Sequence, residues 1–161
     1  TMLSGETAAG KFPIKAAETL DKILMRIERT GGIGWSRDFK SSEVKAAFAE
    51  SAVELADHLK AEAIVVFTRR GLTADFVTAY RPRYATVFAF TNMSTVRRKL
   101  LLNRACYPYR IDFSSDPERT IKTAFALLQK KKLLPAGARV VIVSDIIAGT
   151  ERVESIQVRH V

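Results

Sequence analysis

The residues best equipped for chemistry fall in one short run. Arg69 and Arg70 carry guanidinium forks that match the geometry of a phosphate. Gly71 lets a backbone come close to a ligand, and Thr68 and Thr73 flank the run with hydroxyls. The apolar stretch Ile64–Phe67 stops at Thr68, and an amphipathic segment opens at Thr73, so the turn hands a buried strand to a helix N-terminus. Backbone N–H groups and the dipole at such a place favour an anion. The same residues would serve equally as a capped helix whose arginines are merely solvated. A second candidate, Gly149 and Thr150 after the apolar run Val140–Val143, could close over the same ligand, although on its own it reads more readily as a plain loop.

Other reactive residues have no company. His58 lies beside Asp57 on a polar helix side, and His160 is next to the last residue; neither has a partner at metal-ligand spacing. Cys106, beside Tyr107 and Pro108, has no base nearby in sequence and reads as a buried structural thiol. Trp35 sits among glycines as a packing plug, and Ser4–Thr7 lacks the frame of a P-loop. With no acid/base pair, metal set or triad, no catalytic or metal-binding residue is assigned.

The net charge of +9 comes from 26 Lys and Arg against 17 Asp and Glu. The cations are scattered, and the cluster Lys130–Lys132 ends a helix, where positive charge complements the dipole. A field that gathers phosphorylated metabolites therefore suits the chain better than a nucleic-acid surface. No apolar run approaches the ~18–20 residues of a membrane span. A single cysteine and the lack of a signal-like apolar block point to the cytoplasm.

Positioning these residues requires an α/β scaffold. Pro13 opens a leader helix with Ile14, Ala17, Leu20, Leu24 and Ile27 on one face, and Gly31, Gly32 and Gly34 make a joint after it. The first ten residues show no turn or cap. Ser41, Ser42 and Glu43 should cap a helix running to about Lys60, with Val44, Ala47, Phe48, Ser51 and Leu55 as its buried stripe. Strands at Ala63–Phe67, Thr86–Phe90 and Tyr107–Ile111 then alternate with helices at Thr73–Tyr80, Ser94–Asn103 and Pro117–Leu133, the last capped by Asp116. Strand Arg139–Val143, a loop Ser144–Glu154 and an edge strand Ser155–Val161 complete the chain. The alternation predicts an open, mostly parallel five-stranded sheet with helices on both faces, the last strand antiparallel, preceded by a helical leader. Ligands in such sheets sit beyond the carboxyl ends of the strands, so the runs after Phe67 and Val143 should face one side.

Met2-Leu-Ser-Gly-Glu-Thr-Ala-x-Gly-x-Phe-Pro13 resembles the segment that ends the catalytic barrel of pyruvate kinases, with Phe12 in place of the usual Tyr. Similarity continues through Ala46–Glu50, Ala63–Thr68, Ala79–Pro82 and Val140–Val143, nearly the whole chain. The resemblance implies the last barrel segment over residues 1–34 and the carboxyl-terminal α/β domain over residues 35–161, cut from a longer protein. It implies a parent that moves phosphate from phosphoenolpyruvate to ADP with Mg²⁺ and K⁺. The reacting groups would precede Thr1, leaving this chain inactive alone and without a cofactor of its own.

The family's phosphate cradle, Thr-x-Ser/Thr-Gly-x-Ser/Thr, is matched at Thr68, Gly71 and Thr73, with Arg70 in place of a hydroxyl and Leu72 in place of a polar residue. Of its later effector loop only Gly149 and Thr150 are recognisable, followed by the acids Glu151 and Glu154. Acids there repel phosphate, which argues against fructose 1,6-bisphosphate and leaves a sugar monophosphate, a nucleotide monophosphate or sulfate. The resemblance further implies a homo-oligomer, a tetramer in the parent, paired through the last strand or the helix at Ser94–Asn103. The apolar face of the leader should fold back, swap or dimerise, because exposing four or five large side chains costs ~1.5–3 kcal/mol each. The expected function is thus a regulatory and assembly domain binding a phosphorylated small molecule, or else an assembly module whose pocket has decayed.

Overall fold

The apolar run after Glu62 becomes the centre of the sheet. In the computed structural model, which describes residues 2–29, 43–148 and 151–161, β1 (Ala63–Phe67) lies between β2 (Thr86–Thr91) and β4 (Arg139–Ala148). β3 (Cys106–Arg110) and β5 (Glu151–His160) form the outer strands, giving the order β3-β2-β1-β4-β5. The β3–β2, β2–β1 and β1–β4 pairs are parallel and β4–β5 is antiparallel, the mixed sheet expected from the sequence.

Alternation along the strands makes two cores. Ile64 and Val66 face one side with Val87, Ala89, Val141 and Val143; Ala63 and Val65 face the other with Phe88, Phe90, Val140 and Ile142. The first side is covered by α3 (Val44–Leu59), α4 (Leu72–Ala79) and α5 (Ser94–Leu100), and the second by α6 (Pro117–Lys130). Asp116 caps α6 as expected, accepting the Glu118 N–H at 2.9 Å, with Pro117 in the first turn.

Three sequence expectations give way here. The buried stripe of α3 is Ala46, Ala49, Ala52, Val53 and Ala56, while Val44 is 68% exposed and Ala47 and Ser51 face water. Both sets have helical spacing; the sheet selects the alanines because small side chains let the backbone come close. The loop expected over Ser144–Glu154 is instead mostly strand. β4 runs on to Ala148 and β5 begins at Glu151, paired in register from Arg139↔His160 to Ala148↔Glu151. Polar residues in that stretch are compatible with a ribbon that continues past the core. Finally, α5 stops at Leu100 and α6 at Lys130, each followed by turns. The N-cap position of α3 is Glu43, whose side chain makes no capping bond to the helix; Ser41 and Ser42 lie outside the described residues, as do Gly31, Gly32, Gly34 and Trp35.

The chain divides into two compact units, residues 1–38 and 39–161. In the first, α1 (Gly5–Ala8) forms a single turn with Glu6 at its start: Glu6 Oε2 accepts the Ser4 N–H at 3.0 Å, and the Ser4 carbonyl accepts from Thr7 Oγ1 at 3.2 Å. α2 (Pro13–Arg29) follows, with Ile14, Ile23, Leu24 and Ile27 exposed.

Candidate functional site

The strand order reverses between β1 and β4, because β1 leads to α4 on one face while α6 leads into β4 from the other. A crevice opens at the carboxyl ends of strands at such a point. Here it is a cleft of about 110 Å³, and Thr68 from β1's exit and Ser144 from β4 both line it. The two runs after Phe67 and Val143 thus meet on one side.

The turn after β1 is built locally. The Thr68 N–H donates to the Phe90 carbonyl at 2.9 Å, continuing the ladder to β2. The Thr68 hydroxyl then accepts the Gly71 N–H at 3.0 Å, tightening the turn. Thr91 Oγ1 donates to the Arg69 carbonyl at 3.4 Å and anchors it from the neighbouring strand. Gly71 has φ +92°, and a Cβ there would come within 3.2 Å of Val96 Cγ1. Glycine is therefore required by the backbone and by the packing of α5.

α4 is held against α5 by a polar clamp. Asp75 accepts from Lys99 Nζ at 2.7 Å and from Asn103 Nδ2 at 2.8 Å, and Asn103 also donates to Thr78 Oγ1 at 3.2 Å. The Leu72, Thr73 and Ala74 amides that open α4 meet no acceptor among the described residues. Arg69 and Arg70 are both exposed and meet no carboxylate among those residues.

The structure brings some of the candidates together and separates others. Thr68 and Arg69 line the cleft; Arg70 does not. Thr73 is buried and lines a different void, of about 10 Å³, with Lys45, Phe48 and Glu154. Lys45 Nζ lies 3.2 Å from Glu154 Oε1, while Glu154 Oε2 is buried with no partner among the described residues. That void is close to the size one water needs, beside a carboxylate oxygen and a hydroxyl. Gly149 and Thr150 lie outside the described residues.

Residues far away in sequence complete the cleft. Phe113, Ser114 and Ser115 come from the link between β3 and α6, and Thr120 and Ile121 from α6. Their only sequence signal was the hydroxyl pair just before the Asp116–Pro117 helix start. Phe67 and Phe113 meet edge to face with centroids 6.2 Å apart. Arg159 grips the Glu118 carboxylate with two nitrogens, one at 2.9 Å, tying β5 to α6 and holding that carboxyl below the usual range.

The remaining titratable residues stay out of this site. Cys106 is buried, and burial followed by the Asp75 charge pushes its thiol up to about 12, so it is protonated and inert at neutral pH. His58 and His160 are exposed. Among the described residues no three His, Cys, Asp or Glu side chains gather as a metal would require. No helix of the described residues is long and apolar enough to cross a membrane.

Comparison with known proteins agrees on one family. A family model for the "Pyruvate kinase, alpha/beta domain" matches residues 46–158. The chain is 37% identical to pyruvate kinase isozyme G, chloroplastic, of Ricinus communis, covering 99% of this chain and 39% of that protein. It is 32% identical to pyruvate kinase isozyme A, chloroplastic, of Nicotiana tabacum, again over 99% of this chain but 27% of that protein. The solved structure of Cryptosporidium parvum pyruvate kinase in complex with ADP superposes with a TM-score of 0.72 at 27% identity, covering 99% of this chain and 33% of that one. The chain therefore spans well under half the length of these relatives.

Proposed function

The chain belongs to the pyruvate kinase family through its α/β domain, and from that premise we propose that residues 39–161 form a regulatory domain binding a phosphorylated small molecule. The observation that carries this reading is the start of α4. Three successive amides there have no acceptor among the described residues, and Arg69, three residues before them in the chain, is the cation that lines the cleft. Helix amides and a guanidinium fork are complementary to a phosphate and hold it in a fixed orientation. Arg70 acts from the rim, and Thr68 holds the turn in shape. Gly149 and Thr150, the other residues expected at this site, lie outside the described residues.

Residues 1–34 are the end of the catalytic barrel in the same reading. Phosphate transfer from phosphoenolpyruvate to ADP, with its Mg²⁺ and K⁺, belongs to the remainder of such an enzyme. The cytoplasm is the compartment proposed, tested by fractionating cells that make the chain. The test of the site is thermal stabilisation of the full chain by inorganic phosphate. Arg69→Ala should abolish the shift and Arg70→Ala only reduce it; a shift unchanged in Arg69→Ala overturns the proposal.

Assembly is a second reading supported by β5. This outer strand is ten residues long and carries exposed Val153 and Val158, and an unpaired outer edge of this kind pairs readily with a second copy. A homo-oligomer through β5, tetrameric in the parent, is checked by the mass of the full chain in solution.

A further inference from the structure

Along the chain the cations are scattered, yet they are unevenly shared with the acids. Seven arginines and lysines and no acid lie between Asp75 and Asp112, and six more with no acid lie between Glu118 and Asp145. Folding brings the two stretches together at β3. Lys131, the residue that follows α6, stands over the Tyr109 ring of β3 with its Nζ 5.7 Å from the centroid. Lys130, Lys131 and Lys132 are all exposed, and none meets a carboxylate among the described residues. The start of α6 lines the cleft, whereas this end lies about 20 Å further along the helix.

Alternation along β3 puts Tyr107 and Tyr109 on one side of the sheet. Tyr107 lies 6.0 Å from Phe88 and Tyr109 5.8 Å from Phe90, centroid to centroid. Tyr107 is nevertheless 53% exposed. Two rings at this separation along a strand stand about 6.6 Å apart, a step that successive bases of an extended single strand can follow.

The outer edge of β3 is closed to another strand. The Val87 N–H donates to the Ala105 carbonyl at 3.2 Å and the Ile111 N–H to the Thr91 carbonyl at 3.0 Å, so the odd-numbered residues of β3 turn their backbone groups to β2. Pro108 therefore stands at an outward position and has no N–H to offer there. A partner must be met by the side chains instead, which are exposed aromatic surface beside three unpaired lysines. An acidic peptide or an anionic lipid surface would engage the lysines and make no use of the rings. A duplex buries the faces of its bases in its own stack.

We propose that the face formed by β3 and the end of α6 binds single-stranded nucleic acid. One base stacks on Tyr107, the next lies along Tyr109, and Lys130, Lys131 and Lys132 take the phosphates.

Fluorescence anisotropy of the full chain with a labelled ten-nucleotide oligouridylate tests this. Affinity should fall as salt rises. Tyr107→Leu keeps an apolar side chain at an exposed position but removes the ring, and should weaken binding about tenfold. Replacing all three lysines by Gln should weaken it and flatten the salt dependence. Arg69→Ala should leave it unchanged, which separates this face from the phosphate corner after β1. The duplex with oligoadenylate, polyglutamate and phosphatidylserine vesicles should each compete less well than the unlabelled single strand. Absence of binding, binding indifferent to Tyr107→Leu, equal competition by any of those three, or loss of binding in Arg69→Ala overturns the proposal.

Discussion

The two faces of the sheet are packed by different means. Under α3 and α4 the helices present alanines: Ala49, Ala52, Ala56 and Ala74 are all fully buried. Three helices lie over that face, and at the strand ends its described residues line a void of about 10 Å³. The opposite face carries Phe88 and Phe90 and is covered by α6 through Ile121, Ala124 and Leu128. There the strand ends keep a cleft of about 110 Å³. Small side chains draw backbones together and close the surface, whereas one helix standing off large rings leaves the carboxyl ends uncovered. Room for a ligand is therefore a by-product of which face received the aromatic residues.

The comparison can be broken most sharply from the α6 side. Leu128 is fully buried there, and Leu128→Ala should cost ~2–5 kcal/mol, read as a lower midpoint in chemical denaturation. A loss below that range would mean that α6 is not the cover of this face. On the other side Ala52→Leu adds volume where none is free and should cost ~1–3 kcal/mol by overpacking. A neutral result would show slack on the alanine face and remove the contrast. Smallest of the three, Asp116→Ala should cost ~1 kcal/mol by uncapping α6, with Asp116→Asn close to neutral in the same denaturation series.

Much of this arrangement was legible along the chain. Apolar runs of strand length between helical segments foretold β1 to β4, and a connection too short for a crossover foretold that β5 would run antiparallel. Asp116 and Pro117 marked the start of α6 by residue type alone. The errors have a common origin. Val44 and Phe48 are more apolar than Ala49, Ala52 and Ala56, so hydrophobicity displaced the stripe of α3, though Leu55 does pack against that core; the choice depended on how near the sheet lay. The stretches Ser144–Ala148 and Glu151–Glu154 carry polar residues that read as loop, and their strand character comes from their pairing with each other. In the site, Thr68 and Arg69 were readable because a strand, a turn and a helix start are local events. Phe113, Ser115 and Thr120 were not, since nothing in their own neighbourhoods ties them to Thr68, whereas the side on which Ser144 lies followed from its place after Val143.

Residue order settled the elements, the direction of their pairing and the strand–turn–helix corner at Thr68–Thr73, because turn chemistry, capping and side-chain alternation act over a few neighbours. Assembly of the sheet settled the rest: that Arg69 reaches the cleft while Arg70 stays outside its lining, and that Thr73 is walled off beside Glu154. Those outcomes depend on distances between segments remote in sequence, which exist only once parallel strands have brought their carboxyl ends to a common edge.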